Sequence, residues 1–391
     1  MKNGKLKVGF IVDDIDRRAM GTALYMQKLI ELFVKYHSND IELVLISREG
    51  KGKHPVCSLA RHIEIPTFRF LKFSGVFSFM RWFFKNKEEF DIVHFPRPKL
   101  YPFFWKLKAK KFIVTFHDAP EKGSPRFRTP ANYFWEWSIK LWFHRYIDAA
   151  ISDAKFAARN TASYYHLPQG RSHGIVLGGG MDVSVLNASS YNRDAAKQTL
   201  EDRYHMLFPY ILQVARLVPH KNVHRLVAGF GILKQKYHVP HKLVILGGRN
   251  NTEAYNKVVD AEIERYGIKD DVFFAPYIET EDMPLVYNCA DLFVQVGTSD
   301  GFSIPLVDAL ASGVPIVTSN CSVFPEIAQD AALLADPFDP ADIAEKMHAM
   351  LTNTSVREAC VARCGAVAGR YSWIKAANET IELYKRTYAG S

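Results

Sequence analysis

Two carboxylates eight residues apart, Asp300 and Asp308, bracket the run Gly301-Phe302-Ser303-Ile304-Pro305. Pro305 suits the first position of a helix, where a missing N–H costs nothing. The amides of Gly301 to Ile304 then open that helix and carry the positive end of its dipole. Such an end takes an anion or sugar hydroxyls. With Asp300 in the loop and Asp308 in the first turn, both carboxylates can face one pocket. A cationic pair, Arg216 and Lys221, follows another apolar run. Arginine as a fork and lysine as a point charge can converge on one diphosphate, although the same spacing also fits a surface pair. His117 follows Val114-Thr115-Phe116. At the end of a parallel strand it points to where ligands collect; the other reading is a structural turn histidine. Asp14-Ile15-Asp16 has the spacing of a metal-binding pair, but three acids beside Arg17 and Arg18 read better as a solvated loop. Cys360 and Cys364 could share a helix face, yet no histidine or second pair completes a metal set.

Strands and turns must hold these groups. Residues 291–296 read as a strand, 305–312 as a helix ended by Gly313, and 314–318 as the next strand, which is a βαβ unit. Strands are expected at 5–12, 41–47, 91–95, 111–116 and 149–153, with a helix at 23–36. A second series follows at 210–214, 242–246 and 272–275, with a helix at 279–289. Gly247-Gly248 ends one of these strands and allows close backbone approach. This alternation predicts two doubly wound α/β domains. The expected ranges are 1–187 and 188–373, with Gly178-Gly179-Gly180 suited to a hinge.

The stretch 300–316 resembles the signature of the retaining glycosyltransferases of family 4, which have the GT-B architecture. That signature has two Glu separated by seven residues around Gly-Phe-Gly-Leu-Pro, then Ala-Met-Ala-Ser-Gly-x-Pro-Val. Here the chain reads Asp300-Gly301-Phe302-Ser303-Ile304-Pro305 and Asp308-Ala309-Leu310-Ala311-Ser312-Gly313-Val314-Pro315-Ile316, so both Glu are Asp and the second Gly is Ser. Ala215-Arg216-Leu217 with Lys221-Asn222 is similar to the family's Gly-Arg-Leu-x-x-x-Lys-Gly/Asn. Thr115-Phe116-His117-Asp118 resembles its Thr-x-His-Asp turn, Met20-Gly21 partly matches its Gly-Gly, and Gly179-Gly180-Met181-Asp182 its Asn-Gly-Val-Asp. The resemblance implies two Rossmann-like domains facing a cleft, with a C-terminal helix (374–391) crossing back to the first. It implies sugar transfer from a nucleotide diphosphate sugar, UDP- or GDP-linked, with retention and without a metal or other cofactor. Arg216 and Lys221 would hold the diphosphate, Asp300 the sugar and Asp308 the ribose. Gly301, Phe302, Ser303 and Ile304 would bond sugar hydroxyls through backbone amides. Gly21 and Gly247 would approach the phosphates, and Tyr277 and Ile278 would meet the base. His117 would come from the other domain to complete the site. Glu326 is expected to be structural.

The remaining signals concern partners. The 391 residues are 48% hydrophobic and 23% charged, ordinary for a globular protein. The net charge of +9 hides an asymmetry: residues 1–185 carry 30 Lys+Arg against 17 acids, and the rest 20 against 24. Such a first half suits an anionic partner. Within it, Phe68, Phe70, Phe73, Phe77, Phe79, Trp82, Phe83 and Phe84 interleave with Arg69, Lys72, Arg81, Lys85 and Lys87. The run fits an anionic membrane surface and fits equally a helix packing its rings into the core; nucleic acid is not expected. Five cysteines, no signal segment and no membrane span suggest a cytoplasmic protein, peripheral at the inner membrane face. The acceptor would be a glycan, glycolipid or lipid-linked sugar, in polysaccharide or glycolipid synthesis. The alternatives are a non-catalytic nucleotide-sugar-binding protein and a glycosyl phosphorylase.

Overall fold

The computed structural model describes residues 4–16, 21–67, 74–118, 130–181, 186, 192–249 and 252–390. The chain divides into two compact units. The first holds the described residues up to Leu177 together with those from Ser372 onward; the second runs from Gly178 to Tyr371. The division thus falls ten residues before the expected 187, and the glycines 178–180 lie inside the second unit.

The first unit is built on strands β1 (Leu6–Ile11), β2 (Ile41–Arg48), β3 (Arg61–Ile65), β4 (Phe90–Phe95), β5 (Ala109–Phe116), β6 (Ala149–Ser152) and β7 (Ser172–Gly174). They form one sheet in the order β3-β2-β1-β4-β5-β6-β7, every pair parallel. Val8, Phe10, Ile92, Val93, Ile113 and Val114 are fully buried on its central strands. Apolar residues in succession suit a parallel sheet covered on both faces. The covering helices are α1 (Gly21–His37), α2 (Ser74–Lys85), α3 (Pro130–Leu141) and α4 (Lys155–Tyr165).

The second unit has β8 (Tyr210–Val214), β9 (Lys242–Leu246), β10 (Val272–Phe274), β11 (Leu292–Gln295), β12 (Ile316–Ser319) and β13 (Leu333–Ala335), in the parallel order β10-β9-β8-β11-β12-β13. Its helices are α5 (Arg193–Tyr204), α6 (Val223–Tyr237), α7 (Glu253–Tyr266), α8 (Met283–Cys289), α9 (Ile304–Ser312), α10 (Phe324–Ala328), α11 (Pro340–Thr352) and α12 (Thr354–Ala368). The last helix, α13 (Trp373–Ala389), belongs to the first unit. Its Tyr384 hydroxyl bonds His94 Nδ1 at 2.6 Å, and the Tyr384 ring packs on Phe33 of α1.

In both sheets the order reverses beside the first strand, β1 or β8, which is where doubly wound sheets bind ligands. One helix departs from expectation. α8 starts at Met283, not 279, because Asp282 accepts a hydrogen bond from Tyr204, pairs with Arg203 and closes a turn onto the Glu279 carbonyl. Met20, Phe68, Arg69, Phe70, Lys72, Phe73 and Asp182 lie outside the described residues.

Candidate functional site

In the second unit the loop after β11 enters α9. Ser303 caps that helix: its Oγ accepts from the Leu306 amide at 3.4 Å and donates to Gln295 Oε1 at 2.5 Å. The serine that stands where the family has glycine therefore ties the strand end to the helix start, and it is buried. Pro305 sits in the first turn, and Gly313, at φ 72°, ends the helix in the left-handed region. The amides of Phe302, Ser303 and Ile304 make no hydrogen bond among the described residues, so the helix opens with free donors. The Gly301 amide is already taken by Asp300 Oδ1 at 3.1 Å. The Phe302 side chain is buried against Tyr371 and serves packing.

Lys221 reaches this helix entrance and pairs with Asp300. Its position follows from Asn222, whose left-handed backbone (φ 59°) ends the Pro219–Lys221 turn. The Asn222 side-chain Nδ2 donates to the Val296 carbonyl at 2.8 Å and the Pro337 carbonyl at 2.6 Å, and the residue is fully buried. The Thr298 amide donates to the His220 carbonyl at 2.8 Å. The turn carrying Lys221 is thus pinned to the loop carrying Asp300, whose own amide donates to Ser322 Oγ at 3.1 Å. The sequence reading missed Asn222 and Ser322 as site residues, although Lys-Asn stood in the matched motif. Arg216, two residues beyond β8, is exposed. Its guanidinium has no partner among the described residues. A Cβ on Gly247 would lie 1.8 Å from the Ala215 carbonyl oxygen, so only glycine lets β9 end beside the Arg216 turn. Tyr277 is 71% exposed, while Ile278 is buried.

Asp308 is only 5% exposed. Its Oδ1 accepts from the amides of Gly180 at 2.8 Å and Met181 at 3.2 Å. A Cβ on Gly179 or Gly180 would fall within 2.8 Å of a carboxylate oxygen, so the glycines form its cradle. Burial pushes the carboxyl up to about 7, and the two amide bonds pull the other way. Asp300 and Asp308, expected to face one pocket, are committed to different partners.

His117 and Gly21 lie in the first unit. Gly21 begins α1. His117 follows β5, with Nδ1 at 2.8 Å from Asp153 Oδ2 and Nε2 at 2.7 Å from the Pro96 carbonyl oxygen. Both partners are acceptors, an arrangement that favours the doubly protonated ring. Burial opposes that charge, but Asp153, the Pro96 carbonyl and Asp118 together raise the pKa above its ordinary value. The ring keeps no nitrogen free for a ligand. Asp14 pairs with Arg97 at 2.7 Å, and Asp16 accepts the His54 amide at 2.8 Å.

The aromatic run separates by helix face. Phe79 and Phe83 of α2 are core residues, whereas Phe77 and Phe84 are exposed. Ring contacts continue from Phe84 to Phe103, to Trp105 and to Tyr146, the last two stacked 4.6 Å apart. Tyr133, Phe134, Trp137, Leu141 and Trp142, on or just after α3, are exposed as well, as are Lys85, Lys106 and Arg145. The sequence reading missed the α3 part of this surface. Among the described residues no helix is long and apolar enough to cross a membrane.

Comparison with known proteins agrees with this architecture. Residues 21–178 match the model of Glycosyltransferase Family 4, and residues 206–364 that of Glycosyl transferases group 1. The chain is 31% identical over 176 residues to O-antigen chain mannosyltransferase B of Escherichia coli, covering 45% of each. It is 24% identical over 283 residues to the serotype-specific mannosyltransferase WbdA of the same species, covering 72% of this chain and 34% of that protein. The chain thus spans less than half the length of these relatives. The structure of Anabaena HepE, in complex with UDP and glucose, superposes with a TM-score of 0.74 at 13% identity, over 97% of this chain and 100% of that one. With both units matched, two parallel Rossmann-like sheets and these relatives, the chain belongs to glycosyltransferase family 4 and has the GT-B fold.

Proposed function

We propose that this protein transfers a hexose, mannose first among the candidates, from a nucleotide diphosphate sugar to a glycan or lipid-linked acceptor in polysaccharide synthesis. The observation that carries the reading is the Lys221–Asp300 pair at the free-amide entrance of α9. Breaking a glycosyl–diphosphate bond builds negative charge on the leaving phosphate. Lys221, the exposed Arg216 and the helix end would stabilise it without a metal. Asp300 would exchange Lys221 for sugar hydroxyls as the phosphate takes the lysine. Ser303, held to Gln295, keeps the amides of Phe302 to Ile304 aimed at one place. Asp308 would meet the ribose through Oδ2, since Oδ1 holds the Gly180 loop. Tyr277 is exposed enough to stack on the base. His117, with both ring nitrogens engaged and its pKa raised, would hold the turn after β5 and favour positive charge there. We take the transfer to proceed with retention, as the family resemblance implies. Mannose is favoured by the two mannosyltransferase relatives.

The same reading places the protein at the cytoplasmic face of a membrane, docked by the rings of α2 and α3. Exposed tryptophans and tyrosines with cations among them are suited to the headgroup layer. The test of the reaction is turnover with GDP- and UDP-hexoses and a lipid-linked acceptor, with the anomeric configuration of the product read by NMR. A product with the donor's configuration supports the reading; an inverted product, or no acceptor-dependent nucleotide release with any donor, refutes it.

A further inference from the structure

At the amino ends of β5, β6 and β7 the first unit has an open cavity of about 290 Å³, lined by Lys111, Asp148, Arg171, His173, Arg386 and Thr387 among others. It lies at the opposite end of β5 from His117. We propose that this cavity binds a phosphoryl anion, at a site separate from the sugar-transfer chemistry.

Charge favours this first. Three permanent cations face one carboxylate. The carbonyl end of α13 borders the cavity at Gly390 and subtracts about half a charge, which leaves the site clearly positive. The single acid is already committed. Asp148 Oδ2 accepts the Phe112 amide at 2.8 Å, and Oδ1 lies 3.4 Å from Lys111 Nζ. It therefore pins the start of β5 beside β6 and positions Lys111.

Arg171 is also held. Arg171 donates through Nη1 to the Ile147 carbonyl at 2.8 Å, and its own carbonyl accepts the Ala150 amide at 2.6 Å. Its guanidinium is fixed at one end, with the rest of its fork left to meet an oxyanion. Arg386 makes no ion pair or side-chain hydrogen bond among the described residues. Its neighbour on α13, by contrast, is satisfied: Lys385 pairs with Asp40 at 3.0 Å and Glu382 at 3.1 Å. His173 is half-buried beside Arg386, and burial, then that guanidinium, push its pKa down. Like charges gathered around a neutral imidazole are unfavourable by themselves. A phosphoryl dianion relieves the repulsion and lets His173 take up a proton.

The phosphoryl group could belong to a free phosphate or sugar phosphate, or to a phospholipid headgroup. The test follows the His173 ring by NMR in the full-length protein, assigned with a His173→Gln spectrum, as inorganic phosphate is added at fixed ionic strength. A saturable upward shift of the His173 pKa is expected, with chloride giving none. Arg386→Gln should weaken phosphate at least about tenfold, because it removes a charge-assisted contact, and Arg386→Lys should restore part of it. Sedimentation with phosphatidic acid vesicles identifies the source. Loss of pelleting in Arg386→Gln assigns the site to a headgroup, and unchanged pelleting with saturable free phosphate assigns it to a small molecule. No saturable His173 response to phosphate, or an equal response in Arg386→Gln, overturns the proposal.

Discussion

Asp308→Asn should change the pH dependence of stability. A carboxyl raised from its ordinary 3.8 to about 7 by burial binds its proton more tightly when folded than when unfolded. Stability is therefore fully present below the ordinary value and is lost as pH rises towards 7. At about 1.4 kcal/mol per pH unit the full loss is about 4 kcal/mol, of which about 3 kcal/mol falls between pH 5 and pH 8. Asparagine keeps an oxygen for the Gly180 and Met181 amides and carries no charge. Its NH₂, set where Oδ2 was, costs about 1–3 kcal/mol if it finds no acceptor. The two proteins should thus be of similar stability near pH 5, and the variant more stable at pH 8. For a unit of this size each 1 kcal/mol moves the thermal midpoint by about 2–4 °C. Differential scanning calorimetry from pH 5 to 8 reads the difference directly, because the raised His117 titrates alike in both proteins. Parallel curves would mean that Asp308 is ionised throughout, and the burial argument would fail.

Lys221→Ala and Arg216→Ala should each lose a charge-assisted contact worth about 1.5–3 kcal/mol, seen as a 10- to 150-fold fall in kcat/KM; donor affinity and turnover unchanged in both would remove them from the diphosphate. Because Asp14 and Asp16 are held by Arg97 and the His54 amide, activity should persist in excess EDTA; loss restored by Mg²⁺ or Mn²⁺ would make those aspartates ligands. Trp137→Ala with Trp142→Ala should lower pelleting with phosphatidylglycerol vesicles while the fold is kept, since both rings are exposed; undiminished pelleting would place the membrane contact elsewhere.

Much of the fold was legible because parallel strands write themselves as apolar runs. β8 and β9 begin and end where the sequence places them, and Pro305 and Gly313 bound α9 as their backbone preferences require. The short edge strands β3, β7 and β13 escaped, since three to five residues with hardly a fully buried one among them give no run to read. The motifs identified the family and the Asp300 loop, but side-chain pairing lay beyond them. Nothing in the spacing says that Lys221 meets Asp300, because the turn that carries Lys221 is held by Asn222, whose side chain donates to backbone carbonyls distant in sequence. Asp308 was expected to share a pocket with Asp300; its burial depends on Gly179 and Gly180, over a hundred residues away, leaving room for the carboxylate. The rings of α2 were visible as a run, but only their helical phase separates Phe79 and Phe83 in the core from Phe77 and Phe84 outside.

The central claim is that the α9 entrance, with Lys221 and Asp300 paired across it, is where a nucleotide diphosphate sugar is bound and cleaved. Steady-state release of nucleoside diphosphate from a panel of GDP- and UDP-hexoses, with wild type, Lys221→Ala and Asp300→Asn side by side, tests it most directly. The account predicts that one donor is consumed in an acceptor-dependent way, that both variants lose kcat/KM by at least tenfold, and that Asp300→Asn loses mainly kcat. Wild-type turnover in both variants would contradict it.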